Sequence, residues 1–223
     1  MEDKMDIGLI GGTGDIGKGF AIRWGKNHRI NVGSREEERA KRAAKRYREK
    51  LEKKDFSYCD IEGYKNSEAI RESDVVILSL PFEVITDTLD SLKKHFSDQI
   101  VISPVVPMYK SEGVFECRPK CAAKVIRNYL PNSIDLVSAF HSVPAGKLAD
   151  LNKSLNCDVV VCGDNENAKE VVFELIQDIN GLRPLEGGSL EVSTLCESLT
   201  PLLLNIAIRN DIEDPSIKFM DNK

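Results

Sequence analysis

The sequence predicts an α/β fold: a doubly wound parallel sheet followed by a smaller C-terminal α/β part. Three observations carry that expectation. Short apolar runs alternate with helical patterns over the first 140 or so residues, as in β-α-β units. The run VVILSL at 75–80 is continuously apolar rather than alternating, which suits a parallel strand buried on both faces. A glycine-rich turn stands between the first apolar run and the first helical pattern.

Taken in order, residues 4–10 read as the first strand, 16–26 as a helix and 29–32 as a short strand. Residues 36–54 form a long charged helix with acid and base three or four apart, as in Glu38 and Arg42. Mixed charges at that spacing indicate a solvated face rather than a nucleic-acid surface. A short helix at 66–73 precedes the buried strand 75–80; helix 82–94 and strand 100–103 follow. Residues 104–120 read as a loop, punctuated by Pro104, Pro107, Gly113 and Pro119. Helix 122–130 and strand 135–139 complete the alternation. After His141 the pattern changes: loop or short helix at 141–156, strand at 158–162, helix at 166–179, an extended piece at 182–185. A long apolar helix is expected over 191–209, with Pro201 kinking it or marking where two helices meet. The expected division is therefore 1–141 and 142–223.

A chain of 223 residues buries a sizeable core. Its formal net charge of −5 argues against bulk attraction to nucleic acid or an anionic membrane. The start MEDKMDIGLIGGTG lacks the features of a signal peptide, and no apolar run spans a bilayer. The cysteines at 59, 117, 121, 157, 162 and 196 form no C-x-x-C pair, and with three histidines no metal site is expected. Idle or buried thiols suit a reducing compartment, so a cytoplasmic protein is expected.

The turn Gly12-Thr13-Gly14-Asp15-Ile16-Gly17 spells G-x-G-x-x-G in the context that gives each glycine a task. Gly12 is expected to permit the tight turn, Gly14 to let a pyrophosphate approach, and Gly17 to let helix and strand pack closely. Amides of the helix's first turn would then face the anion. An acid about 20 positions on would accept from the ribose of NAD. Here that stretch is Asn31-Val32-Gly33-Ser34-Arg35. Ser34 and Arg35 are suited to donating to a 2′-phosphate, with Arg39 one helical turn later as a third donor, so NADP(H) is the expected cofactor. Ser34 is also placed to cap the following helix.

Read together, LIGGTGDIGKG (9–19), VGSREE (32–37), SLPFE (79–83), VISPVVPM (101–108), SAFHSVPA (138–145), VVVCGDNE (159–166), INGLRPLEGGSL (179–190) and ESLTPLLLNI (197–206) resemble the archaeal and actinobacterial family of F420-dependent NADP oxidoreductases nearly end to end. The resemblance implies a Rossmann-type fold and reversible hydride transfer between NADP(H) and coenzyme F420, an 8-hydroxy-5-deazaflavin. It places Thr13, Gly14, Asp15, Ile16, Ser34, Arg35 and Arg39 on NADP. Leu80 and Glu83 would lie beside ribose and nicotinamide. His141 and Val143 would sit near the reacting rings, with Leu203 and Ala207 as walls of the deazaflavin pocket. The family's H-T-I-P-A reads H-S-V-P-A here.

Hydride transfer between two planar rings mainly needs faces held close and aligned. No catalytic dyad is evident, and His141 is the titratable residue of its loop. Two readings of His141 stand: a positioning contact to the ring, or a structural histidine at a strand end. Two stand for Glu83: a ribose contact, or a helix N-terminal acid. Beside the deazaflavin reaction stand an NADPH-dependent reductase of an imine, ketone, flavin or metal ion, and a non-catalytic NADP binder. The partners are small-molecule coenzymes, and the apolar terminal helix suggests a homodimer.

Overall fold

The computed structural model describes residues 4–221 apart from 55, 57 and 58. The first strand, β1 (Asp6–Ile10), runs into helix α1 (Asp15–Trp24), which returns to β2 (Arg29–Ser34). The charged helix α2 (Glu37–Glu52) leads to β3 (Ile61–Lys65), then α3 (Asn66–Arg71) and β4 (Val75–Leu78). Next come α4 (Phe82–Leu92), β5 (Ile100–Ser103), the hairpin β6 (Met108–Ser111) and β7 (Val114–Cys117), α5 (Ala122–Arg127) and β8 (Asp135–Ser138). The remainder is α6 (Ala145–Leu148), β9 (Cys157–Gly163), α7 (Glu166–Gln177), β10 (Leu182–Gly188) and α8 (Ser193–Asn210).

Eight strands form one sheet in the order β10-β9-β8-β5-β4-β1-β2-β3. From β3 to β8 every pairing is parallel; β9 joins β8 antiparallel, and β10 pairs parallel with β9. Residue 141 therefore falls just after the strand at which the pairing sense reverses. Alternation along β4 sends Val75 and Ile77 into one apolar layer and Val76 and Leu78 into the other, so both faces are covered. Contacts across residue 141 are extensive. Trp24 Nε1 donates to the Leu175 carbonyl at 2.7 Å. Arg23 donates to the carbonyls of Lys147, Leu148, Asp150 and Lys153 at 2.8–3.2 Å.

Three features depart from the sequence expectation. β3 was not anticipated because IEGYK offers one large apolar residue; α2 packs so closely over this edge strand that a Cβ on Gly63 would lie 2.3 Å from the Lys41 amide nitrogen. The stretch read as a loop at 104–120 contains an antiparallel hairpin, with Glu112 (φ 49°) and Gly113 (φ 85°) making the two-residue turn. Its prolines flank the strands rather than interrupting them. Helix α8 runs unbroken through Pro201. Proline has no N–H for the Glu197 carbonyl four residues back, and the Cys117 thiol approaches that carbonyl at 3.8 Å instead.

Long-range contacts seat α8. Asn205 brackets the hairpin, accepting from the Phe115 amide at 2.9 Å and donating to its carbonyl at 2.7 Å. The buried Glu197 carboxylate accepts from the amides of Ala122 and Ala123 at 2.7 and 2.9 Å, satisfying the start of α5. Burial pushes that carboxyl above its usual range, and the amide donors oppose the shift. The C-terminal tail is held by Asp158, which pairs with Arg183 and accepts from the Phe219 amide at 2.7 Å.

Candidate active site

Strand β1 pairs with β2 on one side and β4 on the other, so the connections on its two sides diverge and leave a crevice beyond its C-terminal end. The glycine turn occupies that crevice. The left-handed residue of the turn is Gly11 (φ 74°), one position before the predicted motif. Gly12 is required by crowding: a Cβ there would lie 2.7 Å from the Leu9 carbonyl oxygen. Gly17 faces the turn itself, since its Cβ would lie 2.5 Å from Gly12 Cα. At Gly14 a Cβ would meet nothing nearer than the Gly11 carbonyl oxygen at 3.8 Å, so this glycine opens on the crevice. Lys18 makes the first helical hydrogen bond, to Gly14. The amides of Asp15, Ile16 and Gly17 therefore lack intrahelical acceptors, the arrangement an anion favours.

Past the end of β2, a cleft of about 390 Å³ is lined by Ser34, Arg35, Lys65, Asn66 and Ser67 from one side and Val84, Asp87 and Thr88 from the other. Ser34 is buried and accepts from the Glu36 amide at 3.4 Å; the N-cap of α2 is Glu36, so Ser34 shapes the turn before the helix rather than capping it. Arg35 is exposed in the cleft. Arg39 and Thr13 lie outside the lining, Arg39 exposed on the first turn of α2 and Thr13 half-buried in the elbow. Lys65 was missed with β3. In register, Lys65 is the partner of Ser34, and it lines the same cleft as Arg35. Asn66 Oδ1 accepts from the Gly11 amide at 3.4 Å.

Two further cavities meet at the elbow. One of about 400 Å³ is bounded by Gly14, Asp15, Ile16, Ser79 and Leu80. The other, about 560 Å³ and mostly apolar, is walled by Phe82, Val105, Met108, His141, Val143 and Leu203 among others. They share Ile16, Leu80, Pro81, Pro104 and Ala145 as walls, so the cavity at the glycine turn and the second chamber adjoin. Helix α8 contributes Thr200, Leu203 and Leu204; Ala207 is buried but off the lining. Glu83 is also off the lining, exposed at the start of α4 and paired with Arg118 at 3.1 Å. The hairpin brings Met108 and the tail brings Asp214 and Pro215, none of which a local pattern singles out.

The loop after β8 is strongly constrained. Phe140 adopts the left-handed region (φ 69°), an uncommon conformation for a non-glycine residue. Its ring is held edge-on to Phe20 and Trp24, with centroids 4.9 and 5.8 Å away. This turns His141 into the chamber wall. Its carbonyl accepts from Thr200 Oγ1 at 2.7 Å, and its Nε2 lies 3.1 Å from Ser138 Oγ. Burial pushes the imidazole down to about 4, so it is neutral at physiological pH.

A glycine turn with unpartnered helix amides at a switch-point crevice, adjoining a mostly apolar chamber, defines a Rossmann-type dinucleotide-binding fold. Residues 6–107 match the family of coenzyme F420-dependent NADP oxidoreductases. The chain is 40% identical to the F420-dependent NADP reductase of Methanocaldococcus jannaschii, over 92% of this chain and 93% of that protein. It is 33% identical to the F420-dependent NADP reductase of Methanothermobacter thermautotrophicus, over 96% and 94%. The chain belongs to the family of coenzyme F420-dependent NADP oxidoreductases. In fold it is similar to a crystal structure from Arthrobacter sp. FB24 (TM-score 0.80, 16% identity, 97% of this chain and 100% of that one). It is also similar in fold to a pyrroline-5-carboxylate reductase from Coxiella burnetii (TM-score 0.56, 14% identity, 95% and 73%).

Proposed function

We propose that this chain is an F420-dependent NADP reductase that moves hydride reversibly between NADP(H) and the deazaflavin coenzyme. The adjacency of the elbow cavity and the apolar chamber, which share Ile16, Leu80, Pro81, Pro104 and Ala145 as walls, carries this reading. It lets a ring bound in one cavity face a ring bound in the other. The residues suit both groups: Gly14 opens on the crevice, three amides at the start of α1 lack intrahelical acceptors, and the chamber is apolar.

Bound together, the two coenzymes supply the chemistry, hydride passing between nicotinamide C4 and deazaflavin C5. The chain's tasks are binding, alignment and exclusion of water. In this reading Gly12 to Gly17 cradle the pyrophosphate, and Ser34, Arg35 and Arg39, joined by Lys65, take the 2′-phosphate. Leu80 and Ile16 hold the nicotinamide side, while Val143 and Leu203 pack the deazaflavin side. His141 contacts the second ring as a neutral hydrogen-bonding group. Residues 1–141 serve as the nucleotide-binding unit and 142–223 complete the second pocket.

Leu195, Leu202, Ile206 and Ile208 are exposed along α8, which supports a homodimer through that helix. The free thiols at all six cysteines support a cytoplasmic setting. No helix among the described residues is long and apolar enough to cross a membrane. The decisive assay mixes protein, NADP and reduced deazaflavin and follows deazaflavin absorbance. Turnover is expected; turnover with a flavin or imine but not with the deazaflavin would overturn the reading.

A further inference from the structure

Ser138, at the end of β8, is fully buried, and its hydroxyl has one hydrogen-bond partner among the described residues, His141 Nε2 at 3.1 Å. A serine hydroxyl carries a single donor hydrogen and two acceptor lone pairs, and a neutral imidazole carries one donor and one acceptor nitrogen. If Nε2 carried the proton, it would donate to Ser138 Oγ and leave the buried hydroxyl hydrogen with no acceptor. If Ser138 donates to an unprotonated Nε2, the hydroxyl and Nε2 are both satisfied, and the remaining donor, Nδ1–H, sits at the ring atom that is not sealed from the cavity instead of in the closed interior. The penalty for a buried unmade donor makes the second arrangement favoured by roughly tenfold or more.

We infer that Ser138 is a positioning residue that holds His141 as the Nδ1–H tautomer, so that the imidazole presents a hydrogen-bond donor to the apolar chamber. His141 Nδ1 has no protein partner among the described residues and is not sealed from the cavity that His141 lines. The backbone fixes the ring's direction from both ends, through the left-handed turn at Phe140 and the Thr200 bond to the His141 carbonyl. Because burial alone keeps the imidazole neutral, and no charged group contributes to that shift, the tautomer persists across the physiological range. A second ligand with a ring carbonyl or an unprotonated ring nitrogen at this point is matched; one presenting an N–H there meets donor against donor. This deepens the reading of the chamber as the deazaflavin pocket and rests on it for the ligand, though not for the tautomer.

The test is nitrogen-15 NMR of the full chain with labelled histidine, correlating ring carbons and nitrogens. The His141 signals are assigned by their loss in His141→Asn. The wild-type protein is expected to show a protonated Nδ1 and a bare Nε2. Ser138→Ala is expected to release this bias and to raise KM for the second coenzyme about five- to thirtyfold, with a smaller change in kcat and none in KM for NADPH. Ser138→Thr, which keeps the hydroxyl, is expected to restore both. A protonated Nε2 in the wild type overturns the inference without reference to any variant or to turnover. An unchanged tautomer in Ser138→Ala overturns Ser138 as its cause, and an altered tautomer with unchanged KM overturns the donor's role toward the ligand.

Discussion

The Tyr47 hydroxyl, on the second helix, donates to the Gly12 carbonyl in the glycine elbow at 3.0 Å. The helix that looked from its sequence like a solvated charged rod therefore also buttresses the nucleotide turn from behind. Ala40, Ala43 and Ala44 keep that face thin enough for Tyr47 to reach the turn, and burial raises its phenol to about 12. Tyr47→Phe is expected to lower stability by about 1 kcal/mol, the usual net worth of one hydrogen bond. A several-fold weaker NADPH affinity should accompany it. Urea unfolding and calorimetric titration of the same preparations check both.

Two glycines of one motif should fail differently. Gly17→Ala forces a Cβ to within 2.5 Å of Gly12 Cα, so a loss of about 1–3 kcal/mol in stability is expected from overpacking. Gly14→Ala meets open space in the free protein and should fold normally while binding NADPH poorly. Thermal melts with and without nucleotide separate the two. A Gly14→Ala protein that still gains normal stabilisation from NADPH would remove the pyrophosphate from this turn.

Nucleotide choice is expected to rest on Arg35 and Lys65. Arg35→Ala should weaken NADPH binding by about 1.5–3 kcal/mol, roughly 10- to 150-fold, with NADH nearly unchanged. Lys65→Ala should act in the same direction but by less, because an ammonium lacks the guanidinium's two-pronged geometry. Dissociation constants for both nucleotides, measured at one ionic strength, check the pair. Equal losses for NADPH and NADH would contradict the assignment.

His141 carries a signed pH dependence. Its folded-state value, about 4, lies below the 6.5 of an unfolded histidine, so on acidification the unfolded chain takes up this proton first. Stability from this group is intact above pH 6.5 and is lost between 6.5 and 4, by about 3 kcal/mol at 1.36 kcal/mol per unit. Unfolding free energies across that range, compared with those of His141→Asn, isolate the contribution. Turnover of His141→Ala is expected to fall by less than about 100-fold, since a positioning contact is worth less than a proton donor. A loss beyond roughly 10⁴ would instead signal acid–base chemistry.

Local pattern was a good guide wherever a residue's task depends on its chain neighbours. The strand-to-helix elbow, the absent acid after β2 and the exposed cation that follows Ser34 could all be read in order, because a turn is built from consecutive amides and side chains. The run 75–80 announced a two-sided strand for the same reason. The prolines that flank the hairpin mask it in the sequence, although Glu112-Gly113 between two short runs is its signal. The edge strand β3 offered almost none, and Lys65 went with it; Asn66, at the start of a predicted helix, gave no sign of its long-range bond to Gly11.

By itself, then, the order of amino acids determined the kind of fold, the glycine turn between the first strand and the first helix, and the sign of the charge beyond the second strand. Tertiary structure alone decided that Tyr47 and Asn66 grip the elbow, that Leu203 rather than Ala207 faces the chamber, that Glu83 turns to Arg118, and that a buried Ser138 meets His141. The difference is physical. A turn or a helix is specified by short-range sterics and hydrogen bonds between near neighbours, whereas the direction of a side chain on a packed surface depends on what distant segments bury against it.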